Sequence, residues 1–220
     1  MDTYTLGVLI PLGTNRPLRR LPLVTWGLLV VNLVIFLISS GMDRMNPEGY
    51  EAMLRQYHLA GDSPIWWTYL SYQFLHADFW HVFGNMMVLW VFGPNVEDRF
   101  GKIGFTLFYL IGGVAAGAMH VLFEHSPVIG ASGSIAAVTG AFLVLFPRTE
   151  IKCLIFFYFI GIYELAAWWF IGFAVFRDII MQGRGGFGNV TALAMGDLDG
   201  TAGSELAVGS TDSGGAMRVM

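Results

Sequence analysis

Charge is scarce in this sequence. Only 13% of its 220 residues are Asp, Glu, Lys or Arg, about half of the ~25% that a soluble globular domain carries. That shortage excludes an ordinary water-soluble domain. Cysteine is nearly absent. Cys153 alone cannot close an internal disulfide, and it reveals no redox compartment. Basic blocks are missing and the net charge is −4, which excludes nucleic acid as a natural partner. The excess lies in apolar mass: 55% hydrophobic residues, with 7 Trp and 18 Phe, and a mean hydropathy of +0.60. Such a composition excludes disorder and fits a chain solvated by lipid.

The few charges are clustered, and the gaps between them are long. Charge-free runs cover 21–42, 79–96, 103–123 and 125–147, and a fifth run, 153–176, is broken only by Glu164. A hydrocarbon core of ~30 Å takes roughly 20 apolar helical residues to cross. Five spans are therefore predicted. Buried helices of a soluble protein are the alternative, but such helices seldom lack charge on every face. The first run follows Arg16, Arg19 and Arg20 as a signal peptide would. No small-residue cleavage site stands out after it and further spans follow, so it reads as a retained helix. The fifth is either one tilted helix or an interfacial stretch up to Glu164 followed by a shorter span. Lys and Arg in the short loops set the orientation. With the N-terminus inside, the inner segments hold Arg16, Arg19, Arg20, Arg99, Lys102, Arg148 and Lys152, while the outer ones before the last span hold Arg44 and Arg55. The outer 43–78 loop carries Tyr50, Tyr57, Trp66, Trp67, Tyr69 and Tyr72. Rings of this kind favour the headgroup layer, and 42–57 suits a short amphipathic helix.

Two polar constellations fall at membrane depth, where polar groups are costly. His81 and Asn85 are four residues apart and stack on one helix face, with His76 on the approach to that helix. A donor pair in low dielectric stabilises developing negative charge. A helix–helix hydrogen bond is the other use of such a pair. The fourth span opens with Gly130-Ala131-Ser132-Gly133-Ser134. Small residues allow close helix packing, the role also expected of Gly113 and Gly117. A serine at a helix start also keeps its own N–H free as an oxyanion donor, and flanking glycines let a substrate backbone approach. By span parity, His81 and Ser132 start their helices at the same outer face.

With these motifs in order, the chain resembles the rhomboid family of intramembrane serine proteases from about Pro17 to about Ile180. The matching pieces are His76-x4-His81-x3-Asn85, then Gly93-Pro94-Asn95-Val96-Glu97-Asp98-Arg99-Phe100-Gly101, then Gly130-Ala131-Ser132-Gly133. Tyr163-Glu164-Leu165-Ala166-Ala167-Trp168 resembles the family's Glu-Leu-Pro-Ala-Trp stretch, with Ala166 where Pro is usual. The resemblance implies Ser132 as nucleophile. It implies His81 and Asn85 as oxyanion-holding side chains, His76 as a further site histidine and Glu97, Arg99 and Gly101 as a structural inner loop. The reaction implied is peptide hydrolysis in or near a single-span substrate's transmembrane helix, with no metal or organic cofactor. The expected fold is an all-α membrane protein, a rhomboid-like polytopic bundle of about five spans with the sixth missing. The expected location is the bacterial inner membrane, with a cytoplasmic N-terminus.

The pattern breaks at the base. The family's histidine comes from a sixth helix, whereas His58, His76, His81, His120 and His125 all precede Ser132. The chain as written is therefore expected to be inactive or very slow, and a pseudoprotease that holds transmembrane clients is the second reading. A transporter or channel is a weaker third, because no acidic relay or broken-helix repeat supports it. A transmembrane domain over 1–181 is followed by a Gly-rich tail, 182–220, that resembles one FG-GAP repeat. There Asp197, Asp199 and Glu205 are weak calcium candidates, since Thr201 replaces an expected acid.

Overall fold

The computed structural model describes residues 8–124, 126–156, 160–169 and 171–172. Its first helix, α1 (Leu23–Met45), is built inside out. Leu37 and Ile38 are about two-thirds exposed, at 68% and 63%, while Thr25, Asn32 and Ser39 are buried. Those three polar residues recur every seven positions and so share one face. Each is bonded: Thr25 to Glu97, Asn32 Nδ2 to the Leu28 carbonyl at 2.7 Å, and Ser39 Oγ to the Phe36 carbonyl at 3.0 Å. Polar residues turned inward and large apolar ones turned outward are what a lipid solvent selects.

Helix α2 (Pro47–Tyr57) confirms the amphipathic helix expected before Tyr57. Asn46 caps it by accepting from the Gly49 N–H at 3.0 Å, with Pro47 at the first helical position. A short helix, α3 (Thr68–Ser71), runs into a 3-10 turn at Tyr72–Phe74. Helix α4 (Phe79–Phe123) starts on the Asp78 carboxylate, which accepts from the His81 N–H at 2.9 Å. Its 45 residues would reach ~67 Å if straight, about twice a hydrocarbon core. It is not straight. Gly101 has φ 73° and ψ 169°, a conformation that is essentially glycine-only. The Phe100 and Phe108 rings lie 5.1 Å apart, although eight residues of continuous helix would separate them by ~12 Å along the axis. The chain therefore folds back at Gly101, and the second and third expected runs become the two halves of α4.

Helix α5 (Ser132–Leu145) packs against both halves. Phe142 meets Phe92 of the first half with ring centroids 4.8 Å apart. Against the second half the contact is backbone-close. A Cβ on Gly112 would sit 2.6 Å from Ala137, one on Gly113 would strike Gln73 and Ser134, and one on Gly133 would strike Ala116. Val82, Leu89, Phe92, Phe105 and Tyr109 of α4 close the core with Ile135, Val138 and Phe142 of α5. Among the described helices, α1 and α4 are long and apolar enough to cross a membrane, and α5 is a shorter apolar helix.

One helix over the fifth expected run is corrected: its first part is strand, while residues 167–169 and 171–172 are helical and 170 and 173–176 lie outside the described residues. Two antiparallel strands, β2 (Glu150–Phe156) and β3 (Ile160–Ala166), pair there, and β2 also pairs with an N-terminal strand, β1 (Val8–Thr14). The order is β1-β2-β3, antiparallel throughout. The fold is thus mainly helical rather than all-α. Freedom from charge misled the reading of this run, because its period is two rather than 3.6. Ile151 and Cys153 are buried and Lys152 between them is exposed. Lys152 and Glu164 face each other across the strand pair at 4.0 Å. Open sheet edges are not tolerated in hydrocarbon, so this sheet does not replace a span. It packs at the end of the bundle where α1 starts: Asn95 Nδ2 donates to Thr14 Oγ1 at 2.9 Å, and the Arg16 guanidinium lies 4.2 Å from the centre of the Phe146 ring.

Helix α1 has no cap of its own, since Pro22 precedes it. Glu97 supplies one from α4. Its carboxylate accepts from the Val24 N–H at 3.0 Å, and from the Thr25 N–H and hydroxyl at 2.8 Å each. An anion at a helix N-terminus is favourable, and this one is only 3% exposed. Arg99, expected beside it in the structural inner loop, is exposed and makes no ion pair among the described residues. Two losses of stability are expected, each read as a lower unfolding free energy in detergent. Gly101→Ala costs about 1–3 kcal/mol of backbone strain, and Glu97→Ala costs about 1–3 kcal/mol by leaving the α1 donors unpaired.

Candidate active site

Ser132 opens α5 and His81 lies in the first turn of α4, both at the end of the bundle opposite Glu97. Between them sits Gly130. Its φ of 128° favours glycine, and a Cβ there would lie 2.8 Å from His81 Nε2 and 3.9 Å from Ser132 Oγ. The hydroxyl and the imidazole nitrogen are therefore within about 7 Å of each other, on either side of a glycine that must stay a glycine. The loop carrying Ser132 is fixed at two points. Gly130 N donates to the Tyr72 carbonyl at 2.8 Å, and Val128 exchanges paired backbone bonds with Leu59 at 3.0 and 3.1 Å.

The histidines form a pair. The His76 and His81 rings meet edge to face, with centroids 5.0 Å apart. Both are buried, as is Asn85 one turn further along α4. Buried polar atoms are normally bonded. Among the described residues, eight buried side-chain polar atoms have no hydrogen-bond partner, and five belong to His76, His81 and Asn85. The unmet hydrogen-bonding capacity is concentrated here. The Ser132 N–H joins it, since the first N–H groups of a helix have no intrahelical acceptor. A buried imidazole beside the positive end of α5 is chemically suited to hold an oxyanion.

His76 lies in the loop between the 3-10 turn and α4. Burial, with the neighbouring His81 second, holds its pKa down from 6.5 to about 3, so its imidazole is neutral at physiological pH. As pH falls the unfolded chain takes up the proton first. This contribution to stability is complete above about pH 6.5 and is lost toward about pH 3. Stability measured across that window should fall with acid, and His76→Phe should flatten the slope.

Other expected residues are placed as follows. Gly133 serves close packing against Ala116. His120 donates from Nε2 to the Ser126 carbonyl at 2.8 Å and so braces the loop before Ser132. Tyr72, read from sequence as a headgroup-layer ring, is buried. Its hydroxyl donates to the Gly113 carbonyl at 2.6 Å because that helix, stripped of side chains, comes within reach. Trp66 is exposed, as expected of an interfacial ring. His125 and the tail with Asp197, Asp199 and Glu205 lie outside the described residues. Sequence reasoning missed Gln73. It accepts from Ser134 Oγ at 2.9 Å and donates to the Tyr69 carbonyl at 2.8 Å, joining the outer loop to α5. Asp78 was also missed, although an Asp just before an apolar helical run is a readable cap signal.

Residues 63–201 match the family model for the Rhomboid domain. The chain belongs to the rhomboid family. Rhomboids are membrane-embedded, in keeping with the inside-out α1. Among its relatives, RHOMBOID-like protein 9, chloroplastic, of Arabidopsis thaliana is 36% identical over 95 residues, 43% of this chain and 21% of that protein. Rhomboid protease GluP of Bacillus subtilis is 36% identical over 78 residues, 36% of this chain and 15% of that protein. The putative rhomboid protease YdcA of the same organism is 30% identical over 138 residues, 61% of this chain and 68% of that protein. This rhomboid chain thus spans about a fifth of the length of the first and 15% of the second.

Proposed function

We propose that this chain carries the site of a rhomboid-type intramembrane serine endopeptidase, with Ser132 as nucleophile and His81, Asn85 and the Ser132 N–H as oxyanion donors. The observation that supports this reading is that the buried, unbonded His81 Nε2 lies within about 7 Å of Ser132 Oγ at the start of α5, with the unbonded His76 and Asn85 side chains on either side of His81 in the chain. Ser132 Oγ attacks the carbonyl carbon of a substrate's transmembrane segment, a base takes the hydroxyl proton, and the carbonyl oxygen becomes the anion those donors hold. The base is the weak point, because all five histidines precede Ser132 and His81 is committed to the oxyanion. The 220 residues alone should therefore cleave slowly or not at all. That same observation favours the second reading, a pseudoprotease that holds single-span membrane clients. A bacterial inner membrane, a cytoplasmic N-terminus and a Gly-rich tail over 182–220, the first part of which falls within the Rhomboid match that runs to residue 201, complete the proposal.

In proteoliposomes with a transmembrane reporter, the chain alone should show no cleavage above its Ser132→Ala variant. Exogenous imidazole should supply the base and raise cleavage only when Ser132 is present. Rapid Ser132-dependent turnover without imidazole would overturn the missing-base argument. Cross-linked reporter with no cleavage under either condition would favour the pseudoprotease. Under rescue, Asn85→Ala should slow turnover by roughly 10- to 1000-fold, the loss of one oxyanion donor.

A further inference from the structure

A second polar concentration lies at the opposite end of the bundle and plays no part in the chemistry above. A cavity of about 450 Å³ opens between the segment leading into α1 and the first half of α4. Arg16, Arg19 and Arg20 line it together with Trp26, Trp90 and Asn95. The arginines are left available. Arg16 lies over the Phe146 ring, a contact that does not neutralise it. Arg19 uses only its backbone N–H on Asp98, at 3.2 Å. Arg19 and Arg20 are exposed, and neither is in an ion pair among the described residues. Three guanidinium groups around one cavity, with no ion pair among the described residues, suit a phosphate, whose oxygens such groups take in bidentate fashion.

The other walls say which phosphate. Trp26 and Trp90 are 40% and 52% exposed on helices whose outer faces are apolar. Tryptophan so placed belongs at the boundary of acyl chains and headgroups. Asn95 is 3% exposed, and its Oδ1 has no partner while its Nδ2 is held by Thr14. That oxygen can accept from a headgroup hydroxyl or ammonium. The lining thus offers a partner for each part of a phospholipid: guanidinium groups for the phosphate, a buried acceptor for a headgroup donor, and indole rings for the acyl chains. We propose that this cavity binds one anionic phospholipid, with its phosphate on the arginines, its headgroup donor on Asn95 and its acyl chains along Trp26 and Trp90. Bound there, the lipid bridges the start of α1 to α4 beside the Glu97 cap.

The full chain, purified in detergent, would be mixed with phosphatidylglycerol, with phosphatidylcholine, or with inorganic phosphate. Retained lipid is counted by native mass spectrometry, and the unfolding midpoint is followed in parallel. Phosphatidylglycerol should be retained preferentially and raise the midpoint, while phosphatidylcholine and inorganic phosphate leave it unchanged. Each of Arg19→Gln and Arg20→Gln should reduce the preference about fivefold. Both side chains are exposed, so the midpoint without lipid should hold. Arg44→Gln, at the far end of α1, should change nothing. Equal retention of the two lipids, an undiminished preference in the double variant, or protection by inorganic phosphate equal to that by lipid would overturn the proposal.

Discussion

Ser132 comes near His81 only because α5 touches the second half of α4 backbone to backbone. Lipid tails are as apolar as leucine, so no hydrophobic force drives helices together inside a bilayer. Close packing and hydrogen bonds must do it. Gly112, Gly113 and Gly133 remove the side chains that would hold the helices apart. The approach then brings the Gly113 carbonyl within reach of the Tyr72 hydroxyl and Ser134 within reach of Gln73. Tyr72 in turn holds Gly130 through its own carbonyl. The seam thus supports the Tyr72 and Gln73 contacts that help to locate the serine.

Buried polar groups in this rhomboid fall into two sets. Glu97, Thr25, Tyr72, Gln73 and Ser134 are bonded and hold elements together. His76, His81 and Asn85 are equally buried and hold nothing. Unmade bonds at such depth oppose folding. The stability that tolerates them comes from the bonded set, and from the dispersion of the Phe92–Phe142 core.

Much of this was legible in the sequence. The charge-free runs located α1, both halves of α4 and α5, because helices in lipid must hide their backbone and cannot carry charge. The four-residue step from His81 to Asn85 and the small residues around Ser132 marked the candidate site, and the structure sets His81 and Ser132 on either side of Gly130. Other features were hidden for physical reasons. The 153–176 run carries only Glu164 whether its first part is helix or paired strand, and only the two-residue alternation there separates the two. Glu97 and Arg99 lie close enough in sequence to look like partners, yet Glu97 turns to the start of α1, some seventy residues earlier. Tyr72 sits among exposed rings, and nothing local foretells that a glycine helix will cover it.

The sheet also sets an order of events during synthesis. Strand β1 emerges first, yet its partner β2 lies roughly 140 residues later in the chain, and contacts so distant in sequence are slow to form. Until β2 leaves the ribosome, the edge of β1 stays unpaired while α1, α4 and α5 enter the bilayer. Pairing of β1 with β2 is therefore a late clasp, and it closes only on a chain whose helices have already threaded.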